Sequence, residues 1–147
     1  MSKMIKVNFS SNGINLVGDL YLPENLSQPA PTLPILGPMT FVKEQAPTEY
    51  ARRFADRGFI ALAFDPRYHG ESDGEPRRYE NPIAKAEDVR AALDYLESRD
   101  DVDGDQLLAM AVCQGSSAML RAVADDDRVN AFSTVAGHYR DHDADVE

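Results

Sequence analysis

The chain has 147 residues, 43% of them hydrophobic, and a formal net charge of −10 from 25 acidic and 15 basic side chains. That length suits one domain with a real core, the hydrophobic share excludes a disordered chain, and the negative charge argues against nucleic-acid or anionic-membrane partners. One cysteine excludes an internal disulfide and a Cys-pair metal site, and the absence of a signal-type h-region or a bilayer-length apolar run makes a cytoplasmic location the expectation.

Lys3 to Phe9 alternates polar and apolar residues, the period of a half-buried strand. Ser11-Asn12-Gly13 is a hairpin turn signal, and Ile14 to Tyr21 returns as a second alternating strand. Prolines 23, 29, 31 and 34 make the next stretch a surface loop, with Leu33 to Leu36 a short third strand that Pro34 weakens.

Thr48 to Arg57 places Tyr50, Ala51, Phe54 and Ala55 on one helical face and ends at Gly58. The continuous apolar run from Phe59 to Phe64 is a strand covered on both sides. After a polar loop from Asp65 to Asn81, Pro82 to Ser98 shows helical spacing at Ile83, Ala86, Val89, Leu93 and Leu96. Asp101 to Asp105 reads as a turn, Leu107 to Val112 as a buried strand, Gly115 to Asp125 as a helix and Val129 to Val135 as a last strand. An N-terminal antiparallel hairpin followed by alternating strands and helices predicts an α/β fold with a mostly parallel sheet flanked by helices.

Ligands of such sheets bind at the carboxyl ends of the strands. The loop leaving the Leu107–Val112 strand reads Ala111-Val112-Cys113-Gln114-Gly115, a thiol with small residues two positions away on each side. A tight strand-to-helix turn strains the backbone at its apex, and bulky neighbours at those positions clash. The apex is also at a helix N-terminus, where the backbone dipole favours a thiolate. Ser116 and Ser117 lack small residues on both sides. Spacing alone leaves Cys113 either a nucleophile or a small hydrophobe closing a buried strand.

Three blocks occur in order: Gly37-Pro38-Met39-Thr40-Phe41-Val42-Lys43-Glu44-Gln45, the run from Phe64 to Pro76 containing Asp65-Pro66-Arg67 and Gly70-Glu71-Ser72-Asp73-Gly74, and the Ala111 to Gly115 turn. Together they resemble the α/β-hydrolase superfamily, in its dienelactone hydrolase-like branch with cysteine at the elbow. Ala111 stands where glycine is commoner in that family. The resemblance implies a nucleophile at Cys113 and an oxyanion hole of backbone N–H groups, one from Gln114 and the other from Met39 or Thr40. It also implies a small-molecule ester or related acyl substrate, with no cofactor or metal.

Asp65 is expected to bond loop amides, and Arg67 to pair with carboxylates. His69 is expected to be structural or solvent-facing. Lys43 and Glu44 form either a solvated ion pair or a tie on the oxyanion loop.

A nucleophile needs a base and an orienting acid, which in this superfamily follow it in the chain. After the elbow the sequence offers one helix, one strand and a terminus containing His138, Asp141 and His142. Nothing there shows a helical pattern, and an acidic terminus is expected to be a solvated tail. The chain therefore reads as the N-terminal part of a single α/β-hydrolase domain, impaired as a catalyst. It is either a truncated product or one completed by a complementing C-terminal half or a second copy. The alternative is a non-catalytic remnant or partner-binding half-domain. Nucleotide binding lacks both the Gly-x-Gly-x-x-Gly and the Walker patterns.

Overall fold

The fold was determined as a computed structural model, which describes residues 2–139. Its elements in chain order are β1 (Lys3–Ser11), β2 (Ile14–Leu22), β3 (Ala30–Leu36), α1 (Ala46–Ala55), β4 (Ile60–Phe64), α2 (Pro82–Glu97), β5 (Val102–Val112), α3 (Gly115–Val123) and β6 (Val129–Val135). The strands form one sheet in the order β1-β2-β4-β3-β5-β6. β1 and β2 pair antiparallel, as do β2 and β4, and the remaining neighbours pair parallel.

The hairpin forms where Asn12 and Gly13 take positive φ of 49° and 82°, which lets Ser11 face Ile14 across a two-residue turn. The period-2 rule then sorts β4 between the two faces. Ile60, Leu62 and Phe64 join a core with Leu16, Leu20, Val89, Leu93 and Met119 beneath α2 and α3. Ala61 and Ala63 join Leu33, Ile35 and Met110 beneath α1. Phe54 and Phe59 stack edge-on beside this second cluster, with centroids 5.4 Å apart.

Three elements start two or more residues before the sequence reading places them. β3 starts at Ala30, not Leu33, and runs through Pro31 and Pro34. Ala30 is anchored by its N–H to the Asp101 carbonyl at 3.0 Å, and burial on both faces outweighs the ladder bonds that proline removes. β5 begins at Val102 because the expected turn is absorbed into the strand: Asp103 accepts from the Asp105 N–H and from Gln106, and the register with β3 shifts there. α1 begins two residues early, at Ala46, since Pro47 in the first turn has no N–H to leave unpaired.

The sheet has β1 and β6 at its edges. β6 pairs only with β5 among the described residues and remains half-exposed, with Val135 37% accessible. No helix among the described residues is long and apolar enough to cross a membrane.

Candidate active site

Parallel pairing sets Leu36 beside Ala111, so the loops leaving β3 and β5 emerge side by side at the carboxyl end of the sheet. At the end of β5 the chain turns sharply into α3. Cys113 sits at the apex with φ 55°, a left-handed conformation that costs a non-glycine residue about 1–3 kcal/mol. Three backbone bonds hold it there. Its N–H donates to the Val135 carbonyl at 2.9 Å, and its carbonyl accepts from Ser116 N–H at 3.0 Å and His138 N–H at 3.1 Å.

The small flanking residues have a steric cause. A Cβ on Gly115 would lie 2.2 Å from the Gly37 carbonyl oxygen, and Ala111 is fully buried. The elbow helix therefore packs directly on the backbone of the loop after β3. Cys113 is partly exposed, whereas the neighbouring Ser116 hydroxyl is fully buried in the first turn of α3. Among the described residues, no side chain hydrogen-bonds the Cys113 thiol. The Gln114 N–H has no acceptor among them either, as befits an amide at a helix N-terminus.

The loop after β3 folds on itself. The Phe41 ring occupies the space that a Gly37 side chain would need, 2.4 Å from that Cβ position, and Phe41 is buried. Thr40 has φ 52°, and its N–H donates to Glu80 Oε2 at 2.9 Å. Thr40, one of the two oxyanion candidates, is thus committed elsewhere, while Met39 is exposed with no acceptor for its N–H among the described residues.

Two buried ionic groups organise the flanking loops. In the first, the Lys43 ammonium is fully buried and donates to Asp65 at 3.1 Å, Glu71 at 2.6 Å and Glu44 at 2.7 Å. Asp65 also accepts the Lys43 N–H at 2.8 Å and the Glu71 N–H at 3.0 Å, the loop amides expected of it. Burial by itself depresses the lysine, but the hydrogen bonds it donates to Glu44, Glu71 and Asp65 outweigh it and hold its pKa above the ordinary range. Glu71, bonded by Lys43 and then Lys6, is pulled down to about 2. Glu44, Asp65 and Glu71 are close enough to hold a metal ion, yet the Lys43 ammonium bonds all three. Of the two expectations for Lys43, the buried tie is the one observed.

In the second group, Glu80 bridges Thr40 to Lys85, whose ammonium is in direct contact with Oε1 and lies 5.3 Å from the Phe41 ring centroid. Lys85 is 2% exposed, and burial lowers its pKa against the opposing pull of Glu80. His69 is also 2% exposed, so of the two expectations for it the solvent-facing one is not observed. Its Nδ1 lies 3.1 Å from the Arg67 carbonyl and its Nε2 3.6 Å from Glu80. Arg67 pairs with Asp88 at 2.7 Å and Glu87 at 3.1 Å, as expected of it.

Sequence reasoning missed Glu80, Lys85 and Asp88. They lie on or just before α2, which the sequence marks only by its apolar spacing, and the burial of Lys85 and Asp88 sets them apart. A cavity of about 620 Å³ opens between the two loops, lined by Thr40, Val42, Gln45, Tyr68, His69 and Arg78 among others. His138 touches the elbow through its backbone, while Asp141 and His142 lie outside the described residues.

No protein-family model matches the chain. It is 42% identical over 131 residues to the uncharacterized protein PA2218 of Pseudomonas aeruginosa, covering 88% of this chain and 35% of that protein. It is 36% identical over 136 residues to the uncharacterized protein YcjY of Escherichia coli, covering 89% and 44%. The chain thus spans less than half the length of these curated relatives. Among solved structures, it superposes on that of PA2218 with a TM-score of 0.90 at 40% identity, covering 93% of this chain and 43% of that one. The α/β hydrolase GrgF from Penicillium gives 0.86 at 30% identity, covering 92% and 46%. A dienelactone hydrolase-like promiscuous phosphotriesterase from metagenomic libraries gives 0.78 at 26% identity, covering 94% and 60%.

Proposed function

We propose, because the chain belongs to the α/β-hydrolase superfamily in its dienelactone hydrolase-like branch, that it is the nucleophile-bearing part of a hydrolase acting on ester or thioester bonds of small acyl compounds. Cys113 is the nucleophile of this reading, and the Gln114 and Met39 N–H groups form the oxyanion hole. The observation that carries it is the strained Cys113 apex, φ 55°, seated against the loop after β3 where Gly115 meets the Gly37 carbonyl.

In the acylation step the Cys113 sulfur attacks the carbonyl carbon, forming a C–S bond. The carbonyl oxygen gains negative charge between the two amides, and each such donor contributes about 2.7–4 kcal/mol of transition-state stabilisation. The C–O or C–S bond to the leaving group then breaks and the carbonyl re-forms. The thiol proton passes to a buffer base, and the leaving group departs as its anion or takes a proton from water. Deacylation needs water activated by a base, and no imidazole among the described residues bonds the thiol. The 147-residue chain is therefore expected to acylate once and turn over slowly, as the first part of a longer single domain.

The test is a 4-nitrophenyl acetate reaction followed by absorbance. A burst of about one 4-nitrophenolate per chain, absent in Cys113→Ala, supports the reading. A burst unchanged in Cys113→Ala removes Cys113 from the reaction.

A further inference from the structure

Glu80 has no part in the chemistry just described, yet it fastens the Thr40 peptide of the loop after β3 from outside, as Asp65 does that of Lys43. Its Oε2 accepts the Thr40 N–H at 2.9 Å and its Oε1 contacts the Lys85 ammonium, which in turn lies over the Phe41 ring. His69 Nε2, buried and with no hydrogen-bond partner among the described residues, faces the same carboxylate at 3.6 Å. Glu80 itself directly precedes Asn81, whose side chain caps α2 by accepting from Ile83 and Ala84 N–H at 3.1 Å each. The carboxylate is thus carried by a rigid helix end.

The loop needs such a tether. Thr40 is β-branched and held at φ 52°, where β-branched residues are outliers. Released, its backbone relaxes toward negative φ and carries Met39 with it. We propose that Glu80 is a positioning residue for acyl transfer: by holding the Thr40 peptide it fixes the adjoining Met39 N–H, the second oxyanion donor. The inference rests on the functional reading above. Lys85 keeps Glu80 aimed, supplying the counter-charge that a mostly buried carboxylate requires.

The test compares two reactions of Cys113 in the full chain. Acylation by 4-nitrophenyl acetate develops an oxyanion, whereas alkylation by iodoacetamide is a displacement at carbon that develops none. Glu80→Gln leaves one acceptor oxygen for two donors. It is expected to slow the acylation burst at least about tenfold, the scale of a misplaced or lost oxyanion donor, while the alkylation rate stays within about twofold. Glu80→Asp keeps the charge opposite Lys85 but retracts it by one methylene. It is expected to slow acylation by an intermediate factor, and it decides the matter should Glu80→Gln not fold.

Equal slowing of both reactions would mean a structural role only and overturns the proposal. A burst that both variants keep within about twofold also overturns it, and leaves the hydrolase reading intact. No burst in the unaltered chain overturns that reading and the positioning role together.

Discussion

The loop from Asp65 to Asn81 and the turn from Cys113 to Gly115 leave neighbouring regions of one sheet, yet they are held in opposite ways. The first is fixed by side-chain ions. Asp65 gathers two loop amides and a buried ammonium, and Gly70 must be glycine because a Cβ there would lie 2.2 Å from the Asp65 carboxyl group. The second is fixed by backbone alone, through the Val135 carbonyl, the first turn of α3 and the contact of Gly115 with Gly37. Fixing a turn by its backbone leaves the side chain at its apex unengaged, which suits a group that is to react. Fixing a loop by its ions uses the side chains up, which suits a wall.

The contrast can be broken most severely at Asp65. Asp65→Asn sets an amide NH2 against the Glu71 N–H and the Lys43 ammonium, which is fully buried. Losing one member of a buried pair costs about 3–5 kcal/mol. The urea midpoint is expected to fall accordingly, and an unmoved midpoint would show that Glu44 and Glu71 suffice to hold Lys43.

A smaller loss of stability is expected at the elbow. Gly115→Ala presses a methyl group onto a backbone oxygen that has no flexible end to move aside, an overpacking that costs about 1–3 kcal/mol. Because the displaced atoms belong to the turn and the oxyanion loop, acylation should fall more than tenfold in protein that still melts cooperatively. Retained burst kinetics would mean that the two loops tolerate separation.

The mildest test uses acid. Glu71 has a folded pKa of about 2 against an ordinary 4.5, lowered by Lys43 and then Lys6. A carboxylate depressed by folding contributes stability that is fully present above the ordinary value and is lost as pH falls toward the folded one. The urea midpoint should therefore decline between about pH 4.5 and 2, less steeply in high salt, since the Glu71 side chain is 47% exposed. Glu71→Gln should flatten that decline, and an identical slope in the variant would assign it to other carboxylates.

The same division explains what the sequence made legible. Elements set by a repeating pattern were readable: the hairpin from Asn12-Gly13, the buried β4 run, the α2 face and the elbow from its flanking small residues. The α/β class followed from these together, while the superfamily was read from the resemblance of the three blocks at 37–45, 64–76 and 111–115. The Asp65 and Arg67 partnerships were readable in kind, although the carboxylates that Arg67 pairs with lie on α2 and not in its own loop. Glu80 and Lys85 were not. Their significance lies in burial against Phe41 and Thr40, some forty residues earlier in the chain, and no local spacing encodes that contact. β3 was cut short for the converse reason, since Pro31 and Pro34 carry a strong local signal against a strand and tertiary burial overrides it.

The strand order also sets a schedule for folding. β3 lies between β4 and β5, both of which follow it in the chain, and its two partners begin at Ile60 and Val102. During synthesis the centre of the sheet waits open, with its apolar residues unsealed, until the strand that begins at Val102 has emerged. Pairings this distant in sequence make for slow folding, because loop-closure entropy is lost before the contacts that reward it can form. Until β5 arrives the β1–β2 hairpin can form by local contacts alone. A chaperone meeting the nascent chain would find apolar surface at β3, a segment that later is buried at all but one of its seven positions.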